Sequence, residues 1–252
     1  MAAGVHRAAG FPTTHWSLIR KAGQPQTYES REAFAALSQA YWSPVYAYLR
    51  RLGCSADDAQ DLVQDFFVHL LEKPVLKGAD PERGQFRTLL RLWLTHFVSN
   101  DRARCRAKKR GAERLTTLSD AESAENWWRL EPRDDETPDV VYDRRWALTV
   151  LEHVTDRLRA EFASTNKIAL FDALKLHLTF DGDPSSYAQE AIDLGMSEGA
   201  IRVAVYRLRR RYETLLREEV GNTVDKPEDV DGEICYLRAA IRGRGRSSYA
   251  GR

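Results

Sequence analysis

Apolar positions recur every three to four residues over most of this chain, and alternation of apolar and polar residues rarely lasts beyond four positions. A recurrence near 3.6 residues gives each segment one buried helical face, so the pattern predicts an all-α fold. A short helix is expected over 13–22, with Thr13 or Thr14 as its cap. A longer one follows over 30–52, stopped by Gly53 and bent at Pro44. Ser55 caps the next, which ends near Glu72, ahead of Pro74. Two prolines and two glycines make 73–84 a loop, and a third long helix is expected over 86–109. Across 111–138 the pattern dissolves into acids, serines and two prolines. That segment reads as a linker, in which Trp127 and Trp128 suggest a docking point. Periodicity resumes near Asp139, with helices expected over 143–164, 167–180, 185–194 and 197–219, and an extra one over 227–241. The turn Asp181-Gly-Asp-Pro184 separates the middle pair. The expected layout is two small helical domains, 30–110 and 139–220, joined by an acidic linker, 111–138. Extensions over 1–29 and 221–252 flank them.

Composition narrows the class. With 43% hydrophobic and 30% charged residues among 252, the chain can bury a core. No run approaches the ~20 apolar residues of a membrane span, and the first twenty residues lack the apolar centre of a secretory signal. Cys54, Cys105 and Cys235 lie far apart and form no Cys-x-x-Cys, which argues against a disulfide framework or a zinc knuckle. A soluble cytoplasmic protein with no membrane partner, no metal and no cofactor is expected. The balance of 38 basic against 37 acidic residues conceals segregation. Residues 102–114 hold seven basic side chains and one acid, and 119–143 hold nine acids and two arginines. Residues 197–217 hold six arginines and two acids, 218–233 seven acids and one lysine, and 238–252 five arginines and no acid. Separate basic elements with acidic spacers point to a polyanion held at two places. Ordinary solvated helix faces would carry charge runs as well.

Three stretches carry candidate chemistry. From Tyr187 to Arg211, a short helix stops at Gly195, Met196 packs under the corner and Ser197 caps a second helix. This is the grammar of a helix-turn-helix. Ile201, Val205, Leu208, Tyr212 and Leu215 fall in one narrow stripe and should be core. Gly199, Arg202, Val203, Tyr206, Arg207 and Arg210 face the other way, as a helix in a DNA major groove requires. Arginine reaches guanine edges or phosphates, and valine can meet a thymine methyl. From Asp57 to Glu72, an apolar arc of Ala59, Leu62, Val63, Phe66 and Leu70 adjoins an acidic stripe of Asp58, Asp61, Asp65 and Glu72. Such a stripe suits a solvated face, a docking surface for a basic helix, or a metal site using Asp61, Asp65 and His69. The last is weak without a second ligand cluster. From Phe86 to Arg110, apolar Leu89, Leu90, Trp93, Leu94 and Phe97 lead into a basic end, which suits unstacked bases and phosphates if the rings are not core.

In order and spacing these three stretches resemble bacterial RNA polymerase sigma factors, most closely the small two-domain extracytoplasmic-function group. The resemblance spans roughly residues 30–220. It implies that the acidic helix docks on the clamp of core RNA polymerase through Asp58, Asp61, Gln64, Asp65 and Phe66. The next helix would read and melt the start-site element through His96, Asn100, Arg102, Arg104 and Arg106. The last helix would read a distal element of double-stranded promoter DNA through Ser197, Arg202, Val203, Tyr206, Arg207 and Arg210. The implied partners are core polymerase, promoter DNA and its melted strand, with room for a regulatory inhibitor protein, and no catalysis. Val203 and Ala204 stand where the family often has polar groups, so its base preference does not transfer. The 167–180 helix is longer than the usual connection, and the acidic 225–233 stretch could shield the basic helix. Two other classes compete. A helix-turn-helix regulator that never binds polymerase explains 187–211 alone. An all-helical isoprenoid synthase would use Asp57-Asp-Ala-Gln-Asp61, but Arg104 and Lys108 occupy its second metal motif.

Overall fold

In a computed structural model the described residues are 16–24, 27–72, 76, 79–80, 84–105, 125–126, 128, 136–178 and 187–242, with the backbone alone for 101–105. Among them there are helices and turns and no strand, so the fold is all-α. Five elements come first: α1 Trp16–Ala22, α2 Tyr28–Arg51, α3 Ala56–Glu72, α4 Phe86–Cys105 and α5 Pro138–Ser164. Four follow: α6 Ile168–Leu174, continued by a 3-10 turn Lys175–Leu178, then α7 Tyr187–Leu194, α8 Glu198–Gly221 and α9 Val230–Ile241.

Local chemistry sets the ends of these helices. Thr27 caps α2: its Oγ1 accepts from the Ser30 amide at 3.1 Å, and the Thr27 amide donates to Ser30 Oγ at 3.0 Å. The helix therefore starts two residues before the expected Ser30, and it runs unbroken through Pro44. Ser55 opens α3 by accepting from the Asp58 amide at 3.1 Å and donating to the Asp58 carboxylate at 2.8 Å. Two junctions close alike. Cys54 donates to the Leu49 carbonyl and Gly53 to that of Arg50; Met196 donates to Ala191 and Gly195 to Ile192. Both are Schellman closures, which need a left-handed residue, and Gly53 (φ +90°) and Gly195 (φ +63°) supply it. Helix α5 also departs from its expected start. It begins at Pro138 rather than Asp143, because proline suits a first helical position and Thr137 Oγ1 accepts from the Val140 amide.

The described residues fall into two compact units, one within 150–219 and one joining 11–149 with 220–252. In the 150–219 unit, Val154, Leu158, Phe171, Leu174, Ala191, Ile201, Val205, Leu208 and Leu215 form the core. Each large apolar side chain among them contributes roughly 1.5–3 kcal/mol on burial. Met196 and Tyr212 pack against that cluster from its edge. The other unit buries Ile19, Leu37, Tyr41, Tyr46, Phe66, Leu70, Phe86, Leu90, Leu94 and Tyr142. Trp16 of α1 meets Phe86 edge to face at 6.1 Å, and Trp42 stacks near-parallel on Phe67 at 6.4 Å. Helix α1, outside the expected domain core, is thus part of this unit's packing.

Candidate polymerase and nucleic-acid interfaces

Helix α3 divides into two faces. Ala59, Val63, Phe66, Phe67 and Leu70 are buried, while Asp57, Asp58, Asp61 and Asp65 are exposed. Leu62 is half-buried and Phe67 takes the deeper place, a shift within the apolar arc expected from the sequence. Gln64 sits half-buried at the edge of the acidic face. Phe66 requires a correction. It is fully buried, with ring centroids 5.7 Å from Phe67 and 5.5 Å from Phe97, so it offers no surface to a partner. Asp58 spends hydrogen bonds on the Ser55 cap. His69 packs on Phe97, with ring centroids 5.4 Å apart. The outward acidic stripe is centred on Asp61 and Asp65.

Helix α4 buries Phe86, Leu90, Leu94 and Val98 at helical spacing. Trp93 is tucked edge-on to Phe86 at 6.0 Å, and Phe97 lies against Phe66 and His69. Both rings are partly buried and take part in packing. The exposed side carries Leu92, Thr95, His96, Ser99 and Asn100. Thr95 is held by Tyr48, hydroxyl to hydroxyl at 3.1 Å, and donates to the Arg91 carbonyl at 2.9 Å. His96 and Asn100 thus share one outward strip. The backbone of Arg102 and Arg104 continues that helix, while their side chains, and all of Arg106, lie outside the described residues.

In the 150–219 unit, α7 and α8 meet at the Gly195–Met196 closure. Ser197 accepts from the Ala200 amide at 3.2 Å and so caps α8. Arg202, Val203, Tyr206, Arg207 and Arg210 are all exposed, with Val203 at 48% and Tyr206 at 64%. Isolated exposed apolar groups are common, but here two flank arginines on one helical face. The six arginines of this stretch divide by role. Arg211 grips Glu161 through two bonds of 2.8 and 2.6 Å, which hold that carboxyl below its ordinary pKa. Arg209 donates to the His177 carbonyl at 2.7 Å, and Arg217 pairs with Glu213 at 3.5 Å. These three fasten the helix to its own unit or to itself. Arg202 makes a solvent-exposed pair with Glu198 at 3.5 Å, too weak to immobilise it. Arg207 and Arg210 point outward with Tyr206.

A buried acid supports the far end of α8. Glu219 accepts from Arg157 at 2.8 Å and lies 3.7 Å from His153. Burial raises its pKa even though the Arg157 guanidinium opposes that shift. Elsewhere in the unit, His177 meets Glu190 at 2.6 Å and ties the 3-10 turn to α7. These bonds fix α7 and α8 without using the outward face of α8.

A continuous acidic face on α3, followed by a helix with an outward polar strip, lies within one stretch of chain. Residues 37–110 match the family model for Sigma-70 region 2. Region 2 binds core RNA polymerase and promoter DNA, so the match supports a sigma-factor role in transcription initiation. No curated protein and no solved structure matches the chain. The region 2 match takes in α3, α4 and most of α2, and ends within the basic run 102–114.

Two attachments to this region were invisible as partners in the sequence. One comes from the acidic stretch after it. Tyr46 donates to Glu125 at 2.5 Å, Arg50 pairs with Glu125 at 3.3 Å, and the Arg50 guanidinium sits 5.5 Å from the Trp128 ring. Trp128 does dock, on α2; Trp127 lies outside the described residues. The second comes from α9. Arg87 of α4 bonds Glu233, which also accepts from Gln85. The Arg87 guanidinium lies 4.6 Å from the Trp146 ring and 4.4 Å from that of Tyr236. Tyr236 donates to Asp143 at 2.5 Å, and Arg91 bonds the same oxygen at 2.6 Å. Glu233 is therefore committed to Arg87 and unavailable to shield the basic helix. Both residues could be seen in the sequence, but pairing across 146 positions left no local mark.

Proposed function

We propose that this protein is a sigma factor of the extracytoplasmic-function type, which docks on core RNA polymerase, recognises promoters and opens them for initiation. The observation that carries the reading is the region 2 match over 37–110, with its acidic face exposed on α3 and the His96–Asn100 strip on α4. In this reading Asp61 and Asp65, edged by Asp58 and Gln64, meet a basic clamp helix. His96 and Asn100, followed by Arg102, Arg104 and Arg106, hold the start-site element and its melted strand. Helices α7 and α8 act as a helix-turn-helix, and α8 enters the major groove at the distal element. Arg202, Tyr206 and Arg207 then reach base edges, Val203 a thymine methyl, and Arg210 a phosphate. The first job falls to the unit that holds residues 30–110, and the second to the unit within 150–219.

No step requires catalysis by the chain. Opening the duplex costs a few kcal/mol per extruded base, offset by contacts to the unstacked strand and by polymerase docking. The capped helix pair with its outward arginines also favours a second reading, a regulator that binds DNA without polymerase. Run-off transcription with purified bacterial core polymerase on genomic fragments separates the two. A sigma factor yields discrete transcripts only when added, whereas a regulator leaves core enzyme without specific starts.

A further inference from the structure

We infer that Gly199 is a specificity-determining position, whose missing side chain lets the first turn of α8 lie directly against the base edges of promoter duplex. This inference rests on the sigma-factor reading of α8 and deepens it, since that reading gives Gly199 no part.

Glycine is a costly residue within a helix, because it gives up more backbone freedom on folding than any other. Two demands of a fold ordinarily justify it, and neither applies here. Gly199 is not one of the left-handed glycines, which among the described residues are Gly53, Gly84 and Gly195. No described neighbour stands within 4 Å of the point where its Cβ would lie, so packing leaves room for a side chain. That room alone assigns nothing, because Gly232, in the first turn of α9, is equally open. Position sets Gly199 apart. At 100° per residue, Gly199, Val203, Tyr206 and Arg210 form one row down the middle of the outward face of α8. All four are exposed, and the buried Ile201, Val205, Leu208 and Leu215 lie opposite. Arg202 and Arg207, both exposed, flank the row on its two sides. Side chains in the row lengthen along the helix, from none at Gly199 through valine to tyrosine and arginine. A surface laid against the row therefore meets backbone at the Gly199 end and long side chains at the other. The partner that fits is the major groove of B-DNA, which admits an α-helix and shows base edges on its floor. Arg202 and Val203 follow Gly199 within about one turn, so close approach there carries both toward the bases. A methyl group at 199 would stand between helix and groove floor and lift both side chains away.

The test is competition binding of holoenzyme, at saturating core polymerase, to a promoter fragment recovered by run-off transcription and to a scrambled duplex of equal length. Wild type is compared with Gly199→Ala, with Gly199→Val and, as a reference in another helix, with Gly232→Ala. Thermal unfolding of the free chains is followed alongside. Both alanine variants should unfold at or slightly above the wild-type temperature, since each places a better helix former in open space. Gly199→Ala should reduce the preference for the promoter by about tenfold, the scale of a methyl group forced into a close-packed contact, and Gly199→Val by more. Gly232→Ala should keep the wild-type preference. The slope of log K against log salt should not move in any variant, because contacts to base edges release no counterions. Wild-type preference in both Gly199 variants would overturn the inference while leaving the sigma-factor reading intact. A lower unfolding temperature for Gly199→Ala would overturn it too, by giving the glycine a task in the fold. So would a flattened salt slope with equal losses on both duplexes, which would make the first turn a phosphate contact that reads no bases. Wild-type holoenzyme that does not prefer the promoter over the scrambled duplex would instead remove the sigma-factor reading, and the inference with it.

Discussion

Single side chains on α8 separate reading from fastening. Arg209 and Arg211 are tied to His177 and Glu161, while Arg207 and Arg210 are exposed. Replacing a fastening arginine should loosen the helix, and replacing an outward one should change only the binding of DNA. Arg202→Ala and Tyr206→Ala are expected to relax discrimination at one or two base pairs, by about 1–3 kcal/mol for each bidentate base pairing removed. Arg210→Ala should weaken all sites alike and flatten the salt dependence by about one unit of slope. Competition binding among single-base promoter variants checks both. An Arg202→Ala protein with the wild-type preference order would mean that α8 is not the reader. Phe66 makes the complementary point: the resemblance implied a polymerase contact for it, but it lies at the centre of a ring cluster, as its place in the apolar arc requires.

At the scale of one element, α3 is an amphipathic helix whose exposed half is acidic and whose buried half is rich in aromatics. Its two sides should therefore respond independently to mutation. Asp61→Arg with Asp65→Arg places cations where acids are proposed to meet a basic clamp helix, and should cost several kcal/mol of polymerase affinity. Because both side chains are exposed, the unfolding transition should barely move. Co-purification with core enzyme measures the first effect and circular dichroism the second. Wild-type recovery of polymerase by this variant would exclude α3 as the docking face.

Across the whole molecule, the buried pair between Arg87 and Glu233 joins chain segments remote in sequence. Their side chains are only 4% and 2% exposed, so the pair is shielded from water and salt. Removing one partner strands a buried charge, and Glu233→Ala should destabilise by about 3–5 kcal/mol, read from the urea midpoint. Replacing both with apolar residues of similar volume should cost far less, which would distinguish a stranded charge from a missing attraction. The same unit governs behaviour in alkali. Burial raises the phenols of Tyr46, Tyr142 and Tyr236, each also near a carboxylate. A raised acid keeps its proton longer in the folded state than in the unfolded chain. Its contribution is thus fully present below the unfolded value near ~10 and is lost as pH climbs from there through the raised folded value. Tyrosinate absorbance should show these three phenols ionising only with unfolding. Their titration near ~10 in the folded protein would contradict the burial.

The sequence by itself determined the helical class, the stops at Gly53 and Gly195, the caps at Ser55 and Ser197, and the outward faces of α3 and α8. All of these follow from chemistry within one or two turns: a period near 3.6, a left-handed residue, a hydroxyl within reach of an unpaired amide. The candidate DNA-contacting face of α8 was legible for the same reason. The inward turn of Phe66 was legible from its place in the apolar arc, but only the tertiary structure decided that it meets Phe97, that Trp128 settles on Arg50, and that α9 anchors to α4 through Glu233. Those choices depend on which faces meet across many residues, and each side chain taken alone fits several partners. A buried arginine requires acceptors or a counter-charge, but its neighbours in sequence do not say which ones. Packing brought Glu233, Tyr236 and Trp146 to Arg87 and made the choice.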